Sequence, residues 1–152
     1  MRHSRQTFSL FVFGSFLASC GGEANPTAPS GDRDEPQMER MIRRLPSFKE
    51  DIQEILVRRG CTSALNCHGI GQGGLTLGAD AVTNYMTLVN MPAEAEREFL
   101  LVKPLDAMNS YVIIRLENRQ RVGIPMPAAG APLDSIDLTN IKNWINNGAP
   151  NN

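Results

Sequence analysis

The chain has two histidines, three cysteines and a single tryptophan. With so little histidine, a Ser-His-Asp triad or a Cys-His dyad has few residues to draw on, and no nucleophile-elbow motif is present. Positive charge is not in excess: 15 Lys and Arg face 16 Asp and Glu. No basic patch and no interleaving of aromatic with basic residues occurs, which excludes nucleic acid as a partner. The glycines of "GIGQGG" fit no phosphate loop, because no strand precedes them and no lysine follows. Internal repeats are missing, and apart from a short "YVII" no strand-like stretch stands out. What the sequence does have is 41% hydrophobic residues over 152 positions. That is enough for one compact domain with a leader and a tether.

The leader comes first. "MRHSRQT" carries Arg2 and Arg5 and no acid, and "FSLFVFGSFL" is an apolar run too short to span a bilayer as a mature helix. It closes on "LASC", Leu17 to Cys20, the pattern of a bacterial lipoprotein signal in which the cysteine is acylated and becomes the new N-terminus. The expectation is a signal peptide at 1–19, and acylated Cys20 with a flexible, disordered tether over 20–45, rich in Gly, Pro, Ala and Ser. A folded domain then spans 46–150. Removal of residues 1–19 leaves 13 basic against 16 acidic side chains, and His68 as the only histidine. Export also places Cys61 and Cys67 in an oxidising compartment where a disulfide persists.

Helical signals dominate the domain. "SFKEDIQEILVRRG" opens with Ser47 and Glu50 as a capping box and repeats Phe48, Ile52, Ile55 and Leu56 along one face. Arg58 and Arg59 suit its last turn, and Gly60 its C-cap. "MERMIRRL" ahead of it has the makings of a short helix. "DAVTNYMTLVN" predicts a second helix with Val82, Tyr85, Met86 and Val89 as its apolar face. "NSYVIIRLEN" predicts a third, capped by Asn109 or Ser110. Three prolines in "GIPMPAAGAPL" exclude regular structure there. Asp134 caps a last helix whose buried stripe is Leu138, Ile141, Trp144 and Ile145 and which stops at Gly148. The fold class expected is all-α, helices joined by long loops.

The chemistry concentrates in "GCTSALNCHG". Two thiols followed by a histidine are what covalent attachment of haem c requires, the thiols for the two vinyl groups and the imidazole as proximal iron ligand. The usual motif is C-x-x-C-H, but here five residues separate Cys61 from Cys67. On an ideal helix that spacing is about 240° of rotation, so "TSALN" must bulge out for both sulfurs to reach one porphyrin edge. A disulfide between Cys61 and Cys67 satisfies the same spacing and would contribute roughly 2 kcal/mol. A zinc site would need a carboxylate as fourth ligand. A distal iron ligand would have to be a methionine, and Met126, between Pro125 and Pro127, has the stiffest backbone, with Met91 as fallback.

Several segments, in order, resemble the small cytochrome c-like domains of bacterial exported lipoproteins and related planctomycete-type cytochrome c modules. They are "CTSALNCHGIGQGGLTL", "YMTLVN", "VKPLDAMNSYVIIRL" and "MPAAGAPLDSIDLTNIKNWINNGA". The resemblance covers roughly 47–150 and is most specific toward the C-terminus. It implies a cytochrome c-like fold with covalent haem c held by Cys61 and Cys67, His68 as proximal and Met126 as distal ligand. The helices at 47–60 and 135–147 would cross beside the haem, with Trp144 in their packing.

The expectation is therefore a membrane-anchored, extracytoplasmic monohaem cytochrome c-like lipoprotein in the bacterial envelope, facing the periplasm or the cell surface. It would pass single electrons to redox protein partners and would not be an enzyme. The rival is a haem-free lipoprotein of the same fold, with Cys61 and Cys67 in a disulfide, serving as an envelope binding or structural module.

Overall fold

The structure is a computed structural model and describes residues 40–65, 67–128 and 130–152. The expected leader, Cys20 and the tether up to residue 39 lie outside the described residues. The first helix starts at Ser47, whose Oγ accepts the Glu50 N–H at 3.3 Å. Its opening turn, Phe48–Ile52, is π-helical and runs on as α1, Gln53–Arg58. The capping box closes differently from the sequence pattern, because Ser47 N–H donates to Asp51 Oδ2 at 2.8 Å rather than to Glu50. The widened turn, with Ile52 N–H bonded to the Ser47 carbonyl, carries the returning carboxylate one position further along. Phe48, Ile52, Ile55 and Leu56 are all buried, as their spacing predicts.

Three more helices follow: α2 at Ala81–Leu88, α3 at Tyr111–Leu116 and α4 at Ser135–Asn146. Among the described residues there is no strand, only isolated bridges pairing Val89 with Val102 and Pro92 with Leu100. The fold is all-α with long loops. Asp134 caps α4 by accepting from Ile136 N–H at 3.0 Å and Asp137 N–H at 3.1 Å. Ile141, Trp144 and Ile145 are buried, whereas Leu138 is only half-buried. The helix stops where expected: Gly148 at φ 93° donates to the Ile145 carbonyl, and Ala149 N–H to that of Trp144. Those two bonds make a Schellman motif.

The two ends of the domain meet over one aromatic group. Phe48 lies 5.1 Å from Trp144 and 5.3 Å from Tyr85 between ring centroids. Both polar handles find carbonyls just beyond α4, Tyr85 Oη donating to Ala149 and Trp144 Nε1 to Pro150. Asn152 then covers the free N–H groups at the start of the first helix, accepting from Phe48 and Lys49. Burial of large rings with their polar atoms satisfied makes this the main core.

Residues 40–45 are not helical, contrary to the possibility raised by "MERMIRRL". They lie along α4 as a strap gripped by three asparagines. Asn140 donates to the Met41 carbonyl and accepts from Arg43 N–H, Asn143 donates to the Arg43 carbonyl and Asn147 to that of Arg44. Arg40 adds ion pairs to Asp134 and Asp137. Buried Asp137 also receives Arg58 at 2.8 Å, tying the end of α1 to the start of α4.

Of the expected α2 face, Tyr85 and Val89 pack partly buried against the main core, and the rest differs. Val82 and Met86 are exposed, while Asn84 and Leu88 are buried. A buried amide displaces apolar side chains only when all its polar atoms are satisfied, and Asn84 meets that condition. It donates to Gln53 Oε1 and to the Gly78 carbonyl, and it accepts from Gly78 N–H, each at 2.8 Å.

Candidate functional site

The end of α1 determines where Cys61 sits. Gly60, at φ 74°, lets the chain leave the helix through a second Schellman motif. Its N–H donates to the Val57 carbonyl at 3.0 Å, and Cys61 N–H to that of Leu56 at 2.9 Å. Cys61 is thereby fixed to the last turn and half-buried against the main core.

From there the chain bulges away from the helix. Ala64 and Leu65 project into solvent, and Asn66 lies outside the described residues. The bulge closes at its base, where His68 N–H donates to the Cys61 carbonyl at 3.1 Å and Gly69 N–H to that of Ser63 at 3.1 Å. Gly69 is needed for clearance rather than for an unusual φ. A Cβ there would lie 2.4 Å from Thr62 O and 2.6 Å from both Ser63 C and Ser63 O. The first cysteine and the histidine are thus joined by a direct main-chain bond despite the five-residue insertion.

His68 opens a short 3₁₀ turn, His68–Ile70, and its carbonyl accepts from Gly71 and Leu77. Its Nδ1 faces two carbonyl oxygens, Gln72 at 2.8 Å and Leu75 at 3.3 Å. Carbonyls only accept, so a neutral imidazole here carries its proton on Nδ1. Nε2 is left with the lone pair. That is the second-shell arrangement by which proteins fix the ring of a ligating histidine.

Cys61 and Cys67 are both free thiols and half-buried. Burial pushes the Cys61 thiol up from its ordinary value, and charge on Cys67 pushes it further. Among the described residues, no three His, Cys, Asp or Glu side chains converge as a metal-binding group.

Met126 is held by the end of α3. Its N–H donates to the Arg115 carbonyl at 3.0 Å, at the end of α3, and Arg115 Nη1 donates to the Val122 carbonyl at 2.9 Å. Met126 shares no hydrogen bond with the loop of Cys61, Cys67 and His68. Of the described methionines it alone is partly buried, since Met41, Met86, Met91 and Met108 are all exposed.

Two features of the site have no motif in the sequence. One is Gly69 as a clearance residue. The other is the pair Gln53 and Asn84, whose amides hold the segment that returns to His68. The available signal for Asn84 was its place on one helical face with Ala81 and Leu88, although nothing local identifies its partner. Searches against protein-family models, curated proteins and solved structures find no match for this chain.

Proposed function

We propose that this chain is a monohaem c-type cytochrome-like lipoprotein, anchored to the membrane through Cys20 and working outside the cytoplasm in one-electron transfer. The observation that carries this reading is His68, with its Nδ1 proton committed to main-chain carbonyls and its Nε2 free. Main-chain closure of the bulge adds support by bringing Cys61 back beside the histidine. Cys61 and Cys67 would hold haem c through thioether bonds, and His68 and Met126 would be its axial ligands. The bound group supplies a ferric/ferrous couple. The chain itself orients the imidazole, keeps the methionine partly sheltered and anchors both loops to helices. This reading assigns electron transfer with protein partners rather than catalysis.

The test is mass spectrometry of the mature protein expressed in the periplasm with haem maturation machinery. One covalent haem is expected, with a Soret band. A mass lower by two hydrogens and no Soret absorbance would overturn the reading in favour of the haem-free disulfide form. In haem-loaded protein, Met126→Ala should abolish the methionine–iron charge-transfer band and lower the potential. An unchanged spectrum would remove Met126 from the ligand set.

A further inference from the structure

Two buried amides outside the cysteine–histidine loop converge on one glycine. Asn84 on α2 is fully buried and Gln53 on α1 nearly so. Asn84 Oδ1 accepts from Gly78 N–H, and Asn84 Nδ2 donates to both the Gly78 carbonyl and Gln53 Oε1. Gln53 Nε2 donates to the carbonyls of Gly78 and Ala79, each at 3.2 Å. Every polar atom of both side chains has a partner, and both main-chain polar groups of Gly78 are bound. The pair works on the main chain rather than on packing alone, since an apolar pair of the same shape would fill the space and leave the Gly78 N–H and the Gly78 and Ala79 carbonyls without these partners.

The segment they hold leads directly back to His68. One residue before Gly78, Leu77 N–H donates to the His68 carbonyl at 3.0 Å. Two residues earlier, the Leu75 carbonyl stands 3.3 Å from His68 Nδ1. We propose that Gln53 and Asn84 are positioning residues for His68, clamping residues 75–78 so that the imidazole is held at both its main chain and its Nδ1. Gln53 stands on the helix that also delivers Cys61, so the clamp fixes the histidine relative to the first cysteine. The proposal rests on the reading of His68 as an iron ligand for its purpose, but its geometry can be tested without iron.

The experiment compares Gln53→Met and Asn84→Leu with Leu88→Ala, in the mature full-length chain prepared both with and without attached haem. Leu88 is a buried residue of α2 outside the clamp, so its truncation destabilises the same helix and serves as the control. In the unloaded protein, at a pH where the imidazole is neutral, nitrogen NMR reads the His68 tautomer and hydrogen exchange reads the Leu77 amide. Wild type and Leu88→Ala should keep the proton on Nδ1. The clamp variants should gain a minor Nε2–H population, minor because the Gln72 carbonyl at 2.8 Å still accepts at Nδ1, and Leu77 protection should fall about three- to tenfold relative to amides of α4. In the loaded protein the clamp variants should raise the reduction potential above that of Leu88→Ala, because a histidine without its second-shell partner is a poorer donor. Clamp variants that match Leu88→Ala, in whichever form folds, would overturn the proposal. A chain that attaches no haem yet shows the tautomer change would retain the clamp and reject the electron-transfer reading.

Discussion

Replacing Gly69 by alanine tests whether the bulge is a built structure. The new Cβ would sit 2.4 Å from Thr62 O and 2.6 Å from Ser63 C and O, all main-chain atoms that cannot swing aside. Comfortable separation demands a backbone shift of roughly 1 Å. Overpacking of that kind costs about 1–3 kcal/mol, and loosening the bonds from Gly69 to Ser63 and from His68 to Cys61 adds about 1 kcal/mol more. A total of about 2–4 kcal/mol lowers the melting temperature of a domain this size by roughly 8–16 °C. The control is Gly78→Ala, where a Cβ meets nothing within 4 Å and φ is not left-handed. Thermal denaturation should show Gly78→Ala close to wild type and Gly69→Ala well below it. The yield of covalent haem from a maturation-competent host should fall in Gly69→Ala as well. Equal melting temperatures for the two variants would refute the reasoning, since they would mean that residues 62–63 do not rest on Gly69.

Three further outcomes follow from the same contacts. Asp51→Ala should cost about 0.5–2 kcal/mol in urea denaturation, because Asp51 takes the Ser47 N–H and pairs with Arg43, whereas Glu50→Ala should be nearly silent. Trp144→Ala removes the centre of the aromatic group and should cost about 3–5 kcal/mol, read as a lowered urea midpoint with lost near-ultraviolet dichroism. Glu96 is buried and bonded by Arg121 and Tyr111, and the Arg121 guanidinium above all holds its carboxyl below the usual range. A depressed folded-state pKa stabilises above the unfolded value of about 4.3 and is lost as pH falls through the folded one. Glu96→Gln should therefore be less stable than wild type at pH 7, with the gap closing in urea titrations below about pH 4; a gap independent of pH would assign Glu96 no ionic role.

The helices at the two ends were legible because their signals are local. Ser47 and Asp134 cap within their own first turns, Gly60 and Gly148 turn left-handed one residue past the C-cap, and the apolar stripes repeat at helical spacing. The α2 face was misread for the opposite reason. Val82 and Met86 are apolar and suitably spaced, yet Asn84 takes the buried position because its partners, Gln53 and Gly78, come from outside the helix. Periodicity registers polarity but not satisfaction, so an amide whose hydrogen bonds are all met looks like a surface residue. The strap repeats the lesson, since Asn140, Asn143 and Asn147 bind the backbone of residues 41–44 from about a hundred positions away.

The same distinction accounts for the cysteine–histidine loop. Spacing alone required "TSALN" to leave the helical path, because about 240° of rotation separates the cysteines on a helix. It could not say how the bulge closes, which depends on a space beside residues 62–63 too narrow for any Cβ and on carbonyls supplied by residues 72 and 75. Those carbonyls decide which imidazole nitrogen keeps its proton. A five-residue insertion between the cysteines is therefore compatible with an ordered histidine so long as the order comes from the glycine-rich segment after it. In this loop the order is divided between Gly69, which lets the chain close, and residues 72 and 75, whose carbonyls hold the ring.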